Sequence, residues 1–171
     1  TLYICDMKSV SIALTVVTVL ASCAGFASVS AARPSPDLDP EEVVQIQLQA
    51  LQLNDESNRG IEVVFRFASP ANKAATGPLS RFTQLFSNPA YAPMLNHTEA
   101  EYGTLVVSGN QARQVVALTS TEGTRVAYLF ALTRQRTGEF EGSWMTDAVS
   151  VIGVTNRPTD EIPQPPIPEA L

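Results

Sequence analysis

"VVQIQLQALQL", residues 43–53, carries two patterns at once. From Val44 to Ala50 apolar and polar residues alternate, as in a half-buried strand. By residue type, Gln, Leu and Ala favour a helix. The flank decides between them. Upstream, "ARPSPDLDP" (32–40) is a Pro-rich linker that ends in a helix start: Asp39 caps, Pro40 suits the first helical position, and Glu42 completes a capping box. The stretch is therefore expected to be helical to Leu53. At about 100° per residue, Val44, Leu48 and Leu51 form one apolar row, and Val43, Ile46, Ala50 and Leu53 a second. Gln47 falls between the rows, inside the apolar arc. A buried amide needs partners, so Gln47 is expected as a structural crosslink or as the polar floor of a cavity.

Downstream, "NDESNRG" (54–60) breaks this helix. "IEVVFRFASP" places Ile61, Val64, Phe65 and Ala68 at helical spacing, with strand as the alternative because Val and Phe favour it. Ser69-Pro70 is expected to end that element, and "ANKAATGP" to be a loop. Pro78 opens a third helix carrying Leu79, Phe82, Leu85 and Phe86. After residue 96 the texture turns to β. The stretches 101–108, 111–120, 124–135 and 139–154 are separated by the turn-formers "GN", "TEG" and "RTG". They predict an antiparallel meander. Val126, Tyr128, Phe130 and Leu132 line one face of the third strand, and Ala127, Leu129 and Ala131 the other. That strand is expected to be covered on both sides, by helices and by a partner subunit.

The two ends differ from this middle. "MKSVSIALTVVTVLASCAGFASVSA" has one lysine, an apolar run of about a dozen residues and then small residues, the layout of a signal peptide. Val29-Ser30-Ala31 offers a cleavage site, and Met7 is the expected start. The run is too short to favour a spanning helix, so no transmembrane span is expected in the mature chain. Three addresses fit: export to the secretory or periplasmic space, lipidation at Cys23 within "LASC", or a two-part plastid signal with Phe26 after small residues. Cys5 and Cys23 are the only cysteines, and both lie in this segment. The mature domain therefore has no disulfide, no thiolate zinc site and no cysteine nucleophile. The tail "RPTDEIPQPPIPEAL" is Pro-rich and expected to be extended. The expected division is a targeting segment (1–31), a linker (32–39), one α+β domain (40–155) and a disordered tail (156–171).

The chain has 171 residues and a net charge of −6. That suits one domain and disfavours nucleic acid as a partner, since phosphates would be repelled. The aromatic residues sit at core spacing, so no base-stacking platform is evident.

"QLQALQLND", "GIEVVFRFASP", "TGPLSRFTQLF", "YAPMLNH" and "GSWMTDAV" together resemble a domain-of-unknown-function family numbered 4864, over roughly residues 41–150. The resemblance implies membership of the nuclear transport factor 2-like superfamily. It further implies a cone-like, cystatin-like α+β fold, with three helices on a curved four-stranded antiparallel sheet around a pocket. Such folds serve isomerases, cyclases and pure binding modules, so fold does not decide function.

Chemistry has few candidates. His97 is the only histidine, and with no cysteine in the domain neither a metal site nor any other cofactor is expected. By period 2, Trp144, Thr146 and Ala148 share one strand face, while Asp147 joins Met145 and Val149 on the other. Asp147, between apolar neighbours, is the best acid–base candidate, with His97 second. Gln47, Tyr102, Tyr128 and Trp144 are the candidate pocket residues. Asn96 heads a glycosylation sequon, meaningful in a eukaryotic secretory route. There is no nucleophile elbow and no phosphate loop. The favoured reading is a non-enzymatic module that binds a small apolar molecule or a protein, possibly as a homodimer through its sheet. The alternative is an isomerase- or cyclase-like enzyme with Asp147 or His97 as base.

Overall fold

A computed structural model describes residues 29–155. Most of the expected targeting segment, including Cys23, and the Pro-rich tail lie outside the described residues. The domain is α+β, with helices on one side of an antiparallel sheet.

Helix α1, Pro40–Gln52, starts where the capping signal places it. Glu42 N–H donates to the Asp39 carboxylate at 2.8 Å, and Asp39 N–H to Glu42 Oε2 at 2.9 Å. Val43, Val44, Gln47, Leu48, Ala50 and Leu51 are buried. Each aliphatic side chain among them contributes at most about 1.5–3 kcal/mol. The alternation was a by-product of a two-row helix face, not a strand.

Helix α2, Arg59–Phe67, follows the break and resolves the helix–strand ambiguity of that segment. It packs so tightly on α1 that a Cβ on Gly60 would lie 2.1 Å from the Ala50 carbonyl oxygen, so only glycine fits there. The expected loop after Pro70 is instead a third helix, α3, Pro70–Thr76. Proline at N1 opened a helix rather than closing one, because Ser69 caps it, accepting from Asn72 N–H at 3.2 Å. Helix α4, Leu79–Leu85, comes next, then a 3-10 turn, Ala92–Met94.

The segment after that turn closes the end of α1. Asn96, at φ +52°, donates from its backbone to Leu51 O at 3.0 Å and from Nδ2 to Asn54 O at 2.8 Å. These bonds tie the segment to Leu51 in the last turn of α1 and to Asn54 just past its end.

The strands are β1 (Glu99–Tyr102), β2 (Val106–Ser108), β3 (Gln111–Thr119), β4 (Arg125–Arg134) and β5 (Trp144–Thr155). β1 and β2 both pair with β3, so they form one edge row interrupted at residues 103–105. The meander then runs β3–β4–β5, antiparallel throughout. Ala112, Gln114, Val116 and Leu118 of β3 lie opposite Leu132, Phe130, Tyr128 and Val126 of β4, and these buried residues face the helices. On the other face Val115 and Met145 are fully buried, and Leu129 and Ala131 half-buried. There Arg125 reaches across β3 to make a bidentate pair with Glu101.

β5 carries two bulges, at Asp147 and at Ile152. Each adds one residue and bends the strand. The first also corrects the face assignment. Thr146 pairs with Leu132 and Ala148 with Ala131, so Asp147 is extra and the phase shifts. Trp144, Thr146, Val149 and Val151 now share the helix-side face, and Ala148 lies on the other.

At the amino-terminal side, the stretch before α1 is held against the domain. Val29 is buried, and Arg66 of α2 donates to the carbonyls of Ser30 at 3.1 Å and Ala32 at 2.6 Å.

Candidate functional site

The helices do not close completely on the sheet. Between them lies a cavity of about 220 Å³. Its walls come from every layer: Gln47 and Leu51 of α1, Val64 of α2, Ala68, Asn72, Ala75 and Thr76 at and in α3, and Phe82, Leu85 and Phe86 of α4. Tyr91, Met94, Phe130 and the β5 run from Thr146 to Val149 complete it. The aromatic side of the wall belongs to a ladder that continues behind it to Phe65. Phe65 and Phe82 stack tilted at 5.2 Å between centroids, and Phe82 meets Phe86 edge-on at 5.9 Å. The helix spacing of Phe82, Leu85 and Phe86 put all three on one side, and the cavity takes that side.

Thr146 is the polar centre. Its hydroxyl accepts from Gln47 Nε2 at 2.8 Å and donates back to Gln47 Oε1 at 3.2 Å. Its carbonyl, beside the bulge, accepts from Ser69 N–H at 2.9 Å and Asn72 Nδ2 at 3.1 Å. One residue of β5 thus fixes α1 and the α2–α3 junction against the sheet. Gln47 is both things the sequence offered: a crosslink and part of a cavity wall.

The other sequence candidates scatter. Asp147 borders the cavity, but its carboxylate accepts from the Thr133 hydroxyl, and Thr133 lies on the far face of the sheet. His97 is buried beneath the 3-10 turn, where Nδ1–H donates to Met94 O at 2.9 Å. Burial holds its pKa below the usual 6.5, partly opposed by that hydrogen bond. Tyr128 is fully buried and donates to Ala90 O at 2.9 Å; burial pushes its phenol well above the ordinary value of 10.0. Tyr102 is 38% exposed at the sheet edge, its phenol raised by burial and by the nearby Glu41. Trp144 is buried, opposite Arg134, away from the cavity wall. Asn96 is exposed, with its amide nitrogen committed to the carbonyls of Gln52 and Asn54.

Sequence reasoning missed Tyr91, Asn72, Thr76 and Thr146 as site residues. Tyr91 donates to Val149 O at 3.2 Å, and Thr76 to Asn72 O at 2.8 Å. The one signal for Asn72 was its place three residues after Ser69, where a cap meets its partner. Among the described residues no cluster of three or more His, Cys, Asp or Glu is placed to hold a metal ion, and no helix is long and apolar enough to cross a membrane.

A family model described as a domain of unknown function (DUF4864) matches residues 35–159. No curated protein and no solved structure matches the chain.

Proposed function

The chain belongs to the DUF4864 family, and within it we propose that this member is a non-enzymatic binding module whose cavity between helices and sheet takes a small apolar molecule. The observation that carries this is the cavity itself: about 220 Å³, walled mainly by Leu51, Val64, Phe82, Phe86, Met94 and Phe130. Concave, mostly apolar sites with a few convergent polar groups are where small ligands bind. The bulged β5 bending over α1 is also what a nuclear transport factor 2-like cone would need.

A catalytic reading requires a carboxylate or histidine beside a tyrosine at the cavity. Here the Tyr91 and Tyr128 hydroxyls donate to backbone carbonyls, Asp147 bonds Thr133, and His97 bonds Met94. Binding therefore ranks above isomerase or cyclase chemistry. A homodimer through the far face of the sheet is the second part of the proposal, supported by half-buried Leu129 and Ala131 there. The leader-like composition before residue 32 supports an exported or organellar setting.

The experiment is mass spectrometry of the protein purified without denaturant from its own host, reading bound compounds. Ala75, on the cavity wall and exposed, is then changed to Phe to fill the space. Wild type is expected to carry a compound that Ala75→Phe lacks. Equal retention by the variant removes the cavity from the account.

A further inference from the structure

The hydrogen-bond inventory of the cavity restricts its occupant, granted that the cavity is a binding site. Six lining side chains are polar: Gln47, Asn72, Thr76, Tyr91, Thr146 and Asp147. Their donors are nearly all spent. Both N–H groups of Gln47 are used, on Val43 O at 3.0 Å and Thr146 Oγ1 at 2.8 Å. The hydroxyl hydrogens of Thr146, Thr76 and Tyr91 go to Gln47 Oε1, Asn72 O and Val149 O. Asn72 spends one N–H on Thr146 O. One side-chain donor is left over, the second N–H of Asn72.

Acceptors are in surplus. A carbonyl oxygen has two lone pairs and a hydroxyl oxygen two. Gln47 Oε1 uses one. The oxygens of Tyr91 and Thr76 donate and keep their lone pairs. Moreover, among the described residues no lysine, arginine or histidine lines the space, and a single carboxyl, that of Asp147, borders it. An anion brought inside would lose its water and meet no positive charge. A donor group would meet several acceptors that are otherwise unfilled.

Size adds a second limit. A cavity of roughly 150 Å³ is known to hold benzene. In proportion, 220 Å³ holds roughly nine non-hydrogen atoms, one substituted ring or a short branched chain. We infer that the cavity selects a small molecule with an apolar body and one hydrogen-bond donor, such as a hydroxyl, and rejects carboxylates and phosphates of the same size. Tyr91 is the acceptor best placed to receive that donor, since its hydroxyl is held against β5 with its lone pairs unassigned.

The test is calorimetric titration of the full chain at neutral pH with ethylbenzene, 4-ethylphenol and benzoate. Binding of 4-ethylphenol is expected to be roughly three- to tenfold tighter than that of ethylbenzene, the worth of one neutral hydrogen bond. Benzoate is expected not to bind. Ethylbenzene binding as tightly as the phenol, or benzoate binding at all, overturns this inference while leaving the cavity as a site. Failure of both neutral probes removes the binding site itself. Tyr91→Phe keeps the ring and removes the oxygen. It is expected to erase most of the phenol's advantage without weakening ethylbenzene; an undiminished advantage overturns the role given to Tyr91.

Discussion

Two glutamines are completely buried in this domain, and they are not equally well served. Gln47 on α1 faces Thr146, whose hydroxyl both gives and receives, so amide nitrogen and oxygen are each satisfied. Gln114 on β3, opposite Phe130, donates to Gly103 O at 3.1 Å and to Glu41 Oε1 at 3.4 Å. Both of those partners are acceptors. Among the described residues its own oxygen is left with none. Depth of burial is the same; what differs is whether the partner can supply a hydrogen. A serine or threonine hydroxyl completes a buried amide, and a carbonyl or carboxylate serves only half of it.

The largest expected effect comes from breaking the complete pair. Thr146→Val strands the Gln47 amide and should cost about 1–3 kcal/mol. Combining it with Gln47→Leu should recover much of that loss. Urea midpoints of the two single variants and the double one give the coupling, and simple additivity would mean that the pair is not coupled.

A third buried polar group, His97, ranks next. Its folded pKa lies below 6.5 because burial disfavours the imidazolium. The unfolded chain therefore binds the extra proton first, and stability must fall as pH drops through and below the unfolded value. His97→Gln should flatten that decline. Midpoints measured from about pH 7.5 to about pH 5.5 check it, and parallel curves for variant and wild type would exclude His97 as the cause.

Gln114→Met should be milder. It removes an oxygen that has no partner as well as one ordinary and one long donation, and the net change should stay within about 1 kcal/mol. A loss equal to that of Thr146→Val would show that the orphaned oxygen is bonded in solution. At the exposed extreme, Asp55 accepts from Ser57 and Arg59, which hold its carboxyl down at about 2 against 3.8. Its contribution is present above the unfolded value and fades as acid approaches the folded one. Being solvent-screened, Asp55→Asn should shift the neutral-pH midpoint least of all.

The contrast also marks what the sequence could and could not disclose. Gln47 was legible because the capping box at Asp39 and Glu42 fixed the helix start, and the start fixed the phase of every later side chain. The turn-formers between strands likewise placed β3 and β4 within a residue or two. Gln114 was not legible, since a polar residue within the strand stretch 111–120 gives no sign of which face it takes or how deeply it is buried. Helix α3 was missed because Ser69-Pro70 was given one meaning, a stop, when serine as cap and proline at N1 make a start. The face of Thr146 was assigned correctly, but that of Val149 was not: one unpaired residue, Asp147, undoes a period-two reading. Beyond Gln47, the walls of the cavity were not legible. The cavity is set by the space that seven chain segments, four helices, the 3-10 turn region and two strands, fail to fill, and no segment records that shortfall.

The extra residue in β5 has one more consequence. Thr146 opposes Leu132 and Ala148 opposes Ala131, so excising Asp147 would leave a continuous ladder in which no other side chain changes sides. Cutting out Ser150 instead would turn half the strand inside out. The longest strand of the domain therefore contains a site where chain length is free to vary while register is not. A version shorter by this residue would lose the bend that the bulge imposes, so the strand's curvature hangs on a single codon.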